Sequence, residues 1–102
     1  MCGIAMIIGQ SAIPAKESMS LMLRRMNHRG PDGNGIWQSK NSPVTLGHVR
    51  LAIQDLSNAG AQPMHLDNRW HSIVNGEIYN YPLLRNELEK RYRAQFRSNC
   101  DS

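Results

Sequence analysis

The sequence predicts a small α+β domain. Short apolar runs of strand length alternate with two segments of helical spacing, in the order strand-helix-strand-strand-strand-helix-strand. The 102 residues are enough for one domain, which we place over residues 1–102. An apolar content of 40% and a charged content of 20% are typical of a globular chain and argue against disorder.

The first predicted strand and helix lie at the start of the chain. Residues 2–9 form a continuous apolar run closed by glycine, which indicates a strand buried on both faces. We expect a turn at residues 10–13, with Pro14 at the first helical position. The helix should end near Asn27 or His28, before a Gly-Pro pair. Four apolar side chains share one face of this helix and should point to the core: Met19, Met22, Leu23 and Met26.

The middle of the chain is predicted to contain two strands joined by turns. The glycine-rich stretch 28–35 matches no standard phosphate-binding pattern and indicates a turn. Residues 36–38 should form a short strand, residues 40–43 a turn, and residues 44–53 a longer strand. The core residues expected from the longer strand are Leu46, Leu51 and Ile53.

Arg50 stands out in the longer strand, because its neighbours Val49 and Leu51 are apolar. A charged side chain in an apolar run usually needs a partner. The residues alone leave two explanations open. Arg50 is either an arginine at the edge of the sheet or a guanidinium fork that binds a carboxylate.

The last part of the chain predicts a loop, two strands and a helix. Residues 55–63 indicate the loop, residues 70–74 one strand and residues 94–98 the final strand. The helix between these strands is indicated by Pro82, Leu84 and Leu88.

The pair Asn75-Gly76 lies between a predicted strand and a predicted helix. Asn-Gly normally indicates a hairpin turn, but the helical pattern that follows favours a strand-to-helix corner. Such a corner would expose the Asn75 carboxamide and a free backbone N–H. Two donors of this kind are what an oxyanion hole requires.

Cys2 directly follows the initiator methionine. Removal of Met1 would leave a residue with a thiol and a free α-amine on the same Cα. The amine has an ordinary pKa of about 7.7–8.0 and can take the proton of the thiol near neutral pH. The alternative is that Cys2 is a small apolar residue that opens a buried strand.

Charge and cysteine content limit the other function classes. The net charge of +4 could indicate nucleic-acid binding. However, the basic residues of the second helix are mixed with Glu87 and Glu89, and no aromatic residues are interleaved with them, which favours a solvated helix face. The two cysteines form neither a disulfide framework nor a zinc pattern, so we expect no metal and regard Cys100 as incidental.

We expect a cytoplasmic protein without membrane partners. No apolar run approaches the roughly 18 residues needed to span a bilayer. The first apolar run has no basic region before it, so it does not resemble a signal peptide.

Five short motifs cover nearly the whole chain in a familiar order. They are Met1-Cys2-Gly3-Ile4, His28-Arg29-Gly30-Pro31-Asp32-Gly33, Arg50-Leu51-Ala52-Ile53, Ala61-Gln62-Pro63-Met64 and Asn75-Gly76-Glu77-Ile78-Tyr79-Asn80. Together they resemble the glutaminase domain of glutamine-hydrolysing asparagine synthetase, a class II glutamine amidotransferase. The resemblance implies L-glutamine as the substrate, glutamate and ammonia as products, and a covalent thioester on the terminal cysteine.

The resemblance also implies a role for each matching residue. Cys2 would be the nucleophile after removal of Met1, and Asn75 with Gly76 would form the oxyanion hole. Arg50 would bind the α-carboxylate of glutamine, and Glu77 and Asp101 would lie near its α-amino group. The segment that would line the same pocket, partly through its backbone, is Leu51, Ala52, Ile53 and Gln54.

The family resemblance further implies an N-terminal-nucleophile hydrolase fold, a four-layer α-β-β-α sandwich. We expect this chain to correspond to the first half of that sandwich, with the ATP- and Mg-dependent synthetase domain absent. No cofactor is expected in the chain itself. An exposed sheet face could associate with itself, with a completing half-domain or with a separate synthetase chain. The alternative function is a catalytically inactive binding or subunit-interaction module.

Overall fold

A computed structural model describes residues 1–9 and 14–102, so the turn predicted at residues 10–13 lies outside the described residues. The elements in chain order are β1 (Gly3–Ile8), α1 (Ala15–Arg25), β2 (Gly33–Gln38), β3 (Val44–Arg50), β4 (Met64–Leu66), β5 (Trp70–Ser72) and α2 (Tyr81–Tyr92). Two short 3₁₀ turns lie at Asn27–Arg29 and Asn58–Gly60. The structure contains both α-helices and β-strands, which confirms the predicted α+β class. In the described part of the chain, no helix is long and apolar enough to cross a membrane.

The three longer strands form an antiparallel sheet in the order β1-β3-β2. β3 is central, and its last residue, Arg50, pairs with Gly33 of β2. β4 and β5 form a separate two-stranded hairpin. The central strand β3 therefore places Arg50 at the end of the sheet, close to the start of β1.

Helix α1 covers one face of this sheet. Met19 and Leu23 of the helix are buried and pack with Ala5 and Val49 of the two neighbouring strands. Side chains alternate along a strand, so the side chain of Val49 points toward α1. The side chains of Leu46, His48 and Arg50 point to the opposite face of the sheet.

The opposite face of β1 is exposed. Ile4, Met6 and Ile8 have exposed fractions of 44%, 56% and 68% in the described part of the chain. The prediction that this strand is buried on both faces is therefore wrong. The reason is that α1 covers the face of Ala5 only, and a continuous apolar run does not reveal how many layers pack against a strand.

The hairpin β4–β5 was not predicted as a pair. Leu66 pairs with Trp70, so three residues connect the strands, and two of them, Asp67 and Asn68, have φ values of 53° and 50°. The hairpin packs on the sheet through Trp37, whose ring stacks on His71 with the ring centroids 3.8 Å apart. β4 has only three residues, so its alternation was too short to indicate a strand.

The predicted final strand at residues 94–98 is not a strand in the structure. α2 ends at Tyr92, its C-cap residue Arg93 lies in the left-handed region at φ 54°, and the chain then folds back along the helix. Arg85 of α2 lies 4.6 Å from the ring centroid of Phe96 and donates to the Ser98 carbonyl at 2.8 Å. These contacts attach the segment to α2, so it does not pair in a sheet.

Four smaller differences concern element ends and core positions. Pro14 precedes α1 as its cap residue, and β2 begins earlier than predicted, at Gly33. Met22 lies at the edge of the apolar stripe and is 40% exposed. β3 ends at Arg50, which leaves Ile53 75% exposed in the loop that follows.

Gly30 is expected to be essential for the packing of the 28–35 segment against β3. A Cβ atom on Gly30 would lie 2.5–2.6 Å from backbone atoms of Val49 and Arg50, which cannot move without distorting the sheet. We predict that Gly30→Ala lowers the free energy of unfolding by about 1–3 kcal/mol in urea titrations. Gly33→Ala is the matched control, because nothing lies within 4 Å of the added Cβ. Equal effects of the two substitutions would contradict this explanation.

Candidate active site

An open cavity of about 340 Å³ lies where β1 and β3 meet the loops after β3 and β5. Most of the residues selected from the sequence line it, namely Cys2, Arg50, Leu51, Ile53, Gln54, Asn75, Gly76, Glu77 and Asp101. Ala52 is the selected residue that does not line the cavity, although its neighbours on both sides do. The fold therefore brings together groups that are far apart in the chain.

The thiol of Cys2 is held against the residue that follows β3. The Leu51 N–H donates to Cys2 Sγ at 3.3 Å, and Sγ lies 3.8 Å from the Leu51 carbonyl oxygen. On the backbone side, Arg29 Nε donates to the Cys2 carbonyl at 3.1 Å. These contacts fix the direction of the thiol and explain why an arginine in the glycine-rich stretch contributes to the site.

Loop carbonyls orient the guanidinium of Arg50. One terminal nitrogen donates to the Ser57 carbonyl at 2.8 Å, and the other donates to the Asp55 carbonyl. Gly60 makes room for this arrangement, because a Cβ at that position would collide with the guanidinium. The guanidinium has five N–H donors, so enough remain for a bidentate contact with a carboxylate.

Asn75 and Gly76 form an exposed edge of the cavity. The preceding residue anchors them, since the Val74 N–H donates to Gln62 Oε1 at 2.6 Å. The amide nitrogen of Gln62 donates in turn to Ser102 Oγ at 3.3 Å. Eight residues separate β5 from α2, so the pair lies in a loop and not directly at the start of the helix.

Two carboxylates complete the polar wall of the cavity. Glu77 is exposed, and Asp101 accepts a hydrogen bond from the Ile78 N–H at 2.6 Å. This contact ties the last residues of the described chain to the loop before α2. The cavity thus has a cationic wall at Arg50 and an anionic wall at Glu77 and Asp101, as a zwitterionic ligand requires.

Asp55 is an acidic residue of the cavity that the sequence did not reveal. Its carboxylate accepts hydrogen bonds from the Asn99 N–H at 3.0 Å and from the Ser57 hydroxyl at 2.5 Å. These bonds, together with the Ser57 N–H and the charge of Arg50, lower the pKa of Asp55 from 3.8 to about 2. The ionised carboxylate therefore connects the loop after β3 to the C-terminal segment.

Acidification is expected to remove this connection. Because the folded pKa of Asp55 is depressed, its stabilising effect is complete above about pH 4 and is lost as the pH falls toward 2. In urea unfolding experiments, wild type should be more stable than Asp55→Asn at about pH 6, and the difference should vanish near pH 2. A difference that stays constant over this range would refute the prediction.

Cys100 also lies in the cavity wall, which the sequence did not indicate. Burial acts to raise the pKa of its thiol, but hydrogen bonds with Ser98 and Ser102 outweigh burial and lower it. Cys2 and Cys100 are both free thiols. Within residues 1–9 and 14–102, no three His, Cys, Asp or Glu residues are close enough to hold a metal ion.

His48 and Gln62 also line the cavity and were not selected from the sequence. Gln62 belongs to the Ala61-Gln62-Pro63-Met64 motif, so the motif was noticed but its contact with Val74 was not. His48 precedes Arg50 by two positions and shares its side of β3. That spacing was the available signal, but it shows a shared face only once the strand is established.

The chain belongs to the glutamine amidotransferase domain family, whose pattern matches residues 1–102. The resemblance to a class II glutamine amidotransferase is thereby confirmed.

Within this class, the chain is similar to glutamine-hydrolysing asparagine synthetases. It is 42% identical to asparagine synthetase B of Escherichia coli, over 99% of this chain and 18% of that protein. It is 40% identical to a putative asparagine synthetase of Methanocaldococcus jannaschii, over 100% of this chain and 22% of that protein. A third relative, amidase chry2 of Gibberella zeae, is 41% identical over 99% of this chain and 17% of that protein. The chain thus spans about a fifth of these relatives.

Proposed function

We propose that this domain hydrolyses L-glutamine to glutamate and ammonia through a thioester on Cys2. The observation that carries the proposal is the meeting of three groups in one cavity: a thiol, an arginine fork, and a loop with an exposed amide. These groups match the needs of the reaction, which must hold the two ends of glutamine and bring its amide to a nucleophile. Membership of the amidotransferase family supports the same substrate.

The chemical steps require that Met1 is first removed. The free α-amine of Cys2 then takes the proton of the thiol, and the sulfur attacks the side-chain carbonyl carbon of glutamine. The tetrahedral oxyanion is stabilised by the Asn75 carboxamide and the Gly76 N–H. Its collapse returns the proton to the leaving nitrogen and releases ammonia. Water then attacks the thioester by the same route and releases glutamate.

The remaining residues hold the α-carbon end of glutamine. Arg50 pairs with the α-carboxylate, while Glu77 and Asp101 attract the α-amino group. The backbone of residues 51–54, including that of Ala52, provides further contacts with glutamine. The N–H of Ala52 already donates to Asp32 Oδ2 at 2.8 Å, which fixes the segment against the glycine-rich stretch.

Ammonia released here would be used by a synthetase. The relatives named as asparagine synthetases are several times longer than this chain, and we propose that a synthetase domain or a separate chain consumes the ammonia, with aspartate as acceptor. ATP and Mg²⁺ would bind to that partner and not to these residues. A cytoplasmic location and the four-layer sandwich are part of the same proposal.

Intact mass spectrometry of untagged protein tests the proposal directly. The protein is incubated with 6-diazo-5-oxo-norleucine, an electrophile that mimics glutamine. We expect loss of Met1 and one adduct that maps to Cys2. Excess L-glutamine should protect Cys2 from the reagent, whereas D-glutamine should not, because binding of both ends of the substrate depends on its configuration.

A processed chain that takes no adduct would overturn the proposal. Retention of Met1 would do so as well, because the α-amine would then be a peptide nitrogen. Either outcome would favour the alternative of an inactive binding or subunit-interaction module. The apolar face of Ile4, Met6 and Ile8 is the feature of the structure that fits such a module.

A further inference from the structure

His48 is a buried polar residue whose presence the proposed reaction does not explain. Its side chain is 1% exposed, yet it lines the cavity. Within residues 1–9 and 14–102, neither of its ring nitrogens completes a hydrogen bond. Buried polar groups are nearly always hydrogen-bonded, because an unpartnered group loses its interaction with water and gains none in return. We therefore expect the buried imidazole of His48 to have a hydrogen-bond partner.

The surroundings of His48 favour the neutral form of its imidazole. Burial lowers its pKa from 6.5, and the nearby charge of Arg50 lowers it further, while the backbone of Val74 acts in the opposite direction. The partners of His48 in the neighbouring strands are Ile4 and Gly35, which carry no charge. A neutral imidazole has one N–H donor and one acceptor.

A role as the base for Cys2 does not fit the geometry. In the proposed reaction the α-amine of Cys2 is the base for its thiol, so a Cys–His pair is not needed. The sulfur of Cys2 instead contacts the backbone of Leu51. His48 and Val74 line the same cavity, and Val74 directly precedes the Asn75-Gly76 pair. The Val74 backbone is also the group that acts to raise the pKa of His48.

We propose that His48 is a positioning residue for the oxyanion-hole loop, acting through the carbonyl of Val74. Gln62 already holds Val74 from its N–H side at 2.6 Å. A hydrogen bond from the imidazole N–H to the Val74 carbonyl would hold the same peptide from the other side, and the next two residues would then face the cavity in one orientation. Hydrogen bonds of this kind are often long before substrate binds and shorten afterwards. The catalytic consequence rests on the proposed glutamine hydrolysis.

Kinetics of two variants separate positioning from substrate contact. His48→Phe fills the space without a donor, whereas the carboxamide of His48→Gln can still donate to a carbonyl. We expect His48→Phe to lower kcat for glutamine about 10- to 100-fold with little change in KM, since small misplacements of reacting groups have effects of this size. His48→Gln should recover most of that loss. A raised KM with unchanged kcat would show a direct substrate contact and overturn the proposal.

A second readout does not depend on catalysis. Amide hydrogen exchange and ¹H–¹⁵N shifts of Asn75 and Gly76 should report faster exchange in His48→Phe than in wild type and near-normal values in His48→Gln. Leu46→Ala is the matched control, since Leu46 is buried on the same face of β3 and does not line the cavity. It should lower overall stability without selective change at this loop. Unchanged exchange in His48→Phe would overturn the positioning role even if the protein proves unable to hydrolyse glutamine, and wild-type inactivity alone would count only against the proposed function.

Discussion

Replacing Cys2 with alanine is expected to abolish glutamine hydrolysis. In the proposed reaction the sulfur of Cys2 forms the thioester, and Cys100, the other thiol of the cavity, lacks the α-amine that serves as the base. We predict that kcat falls by at least about 10⁴-fold, in keeping with the loss of a nucleophile in other hydrolases. The measurement is glutamate release from L-glutamine by the untagged protein. The fold should be retained, because Cys2 precedes β1 and is only partly buried.

Cys100→Ser is the matched control for this experiment. It removes the other thiol of the cavity, whose described hydrogen bonds are made only with Ser98 and Ser102. We expect it to retain most of the activity and the adduct on Cys2. If Cys2→Ala kept its activity while Cys100→Ser lost it, the nucleophile would have been assigned to the wrong cysteine.

Replacing Asn75 with alanine is expected to have the second largest effect. The carboxamide would stabilise charge that develops only in the transition state, so kcat should fall about 10²- to 10³-fold while KM changes little. Alkylation of Cys2 by iodoacetamide forms no oxyanion and should proceed at the wild-type rate. Comparing hydrolysis with alkylation therefore separates loss of the oxyanion hole from a damaged thiol.

Asn80→Ala controls for the removal of a neighbouring amide. Asn80 is exposed, and its side chain makes no capping bond at the start of α2. Its replacement should leave both kcat and the alkylation rate unchanged. Equal losses for Asn75→Ala and Asn80→Ala would indicate a general disturbance of the loop, and the assignment of Asn75 to the oxyanion hole would fail.

The elements that could be predicted from the sequence are those with long, regular patterns. α1 was recognised because Met19 and Leu23 repeat at helical spacing, and β3 is the first part of the strand predicted after the turn at residues 40–43. β4 was missed because three residues carry too little alternation. Residues 94–98 were mistaken for a strand because the contacts of Phe96 and Ser98 with Arg85 cannot be seen in a local pattern.

Some residues of the candidate site could likewise be predicted from the sequence, and others could not. Cys2, Arg50 and Asn75 were selected because each is chemically unusual in its local setting. His48, Asp55 and Gln62 were not selected, because their importance lies in contacts with distant residues. A partner that is far away in the chain leaves no trace in the residues on either side.

By itself the sequence determined the α+β class, the family and the chemical character of the main site residues, because composition, short motifs and local spacing carry that information. Only the tertiary structure decided that Cys2, Arg50 and Asn75 share one cavity. It did so through the antiparallel pairing of β1 with β3, which places the start of one strand beside the end of the other. It also decided that Ile4, Met6 and Ile8 face solvent, since burial depends on which layers are present and not on the apolar run alone.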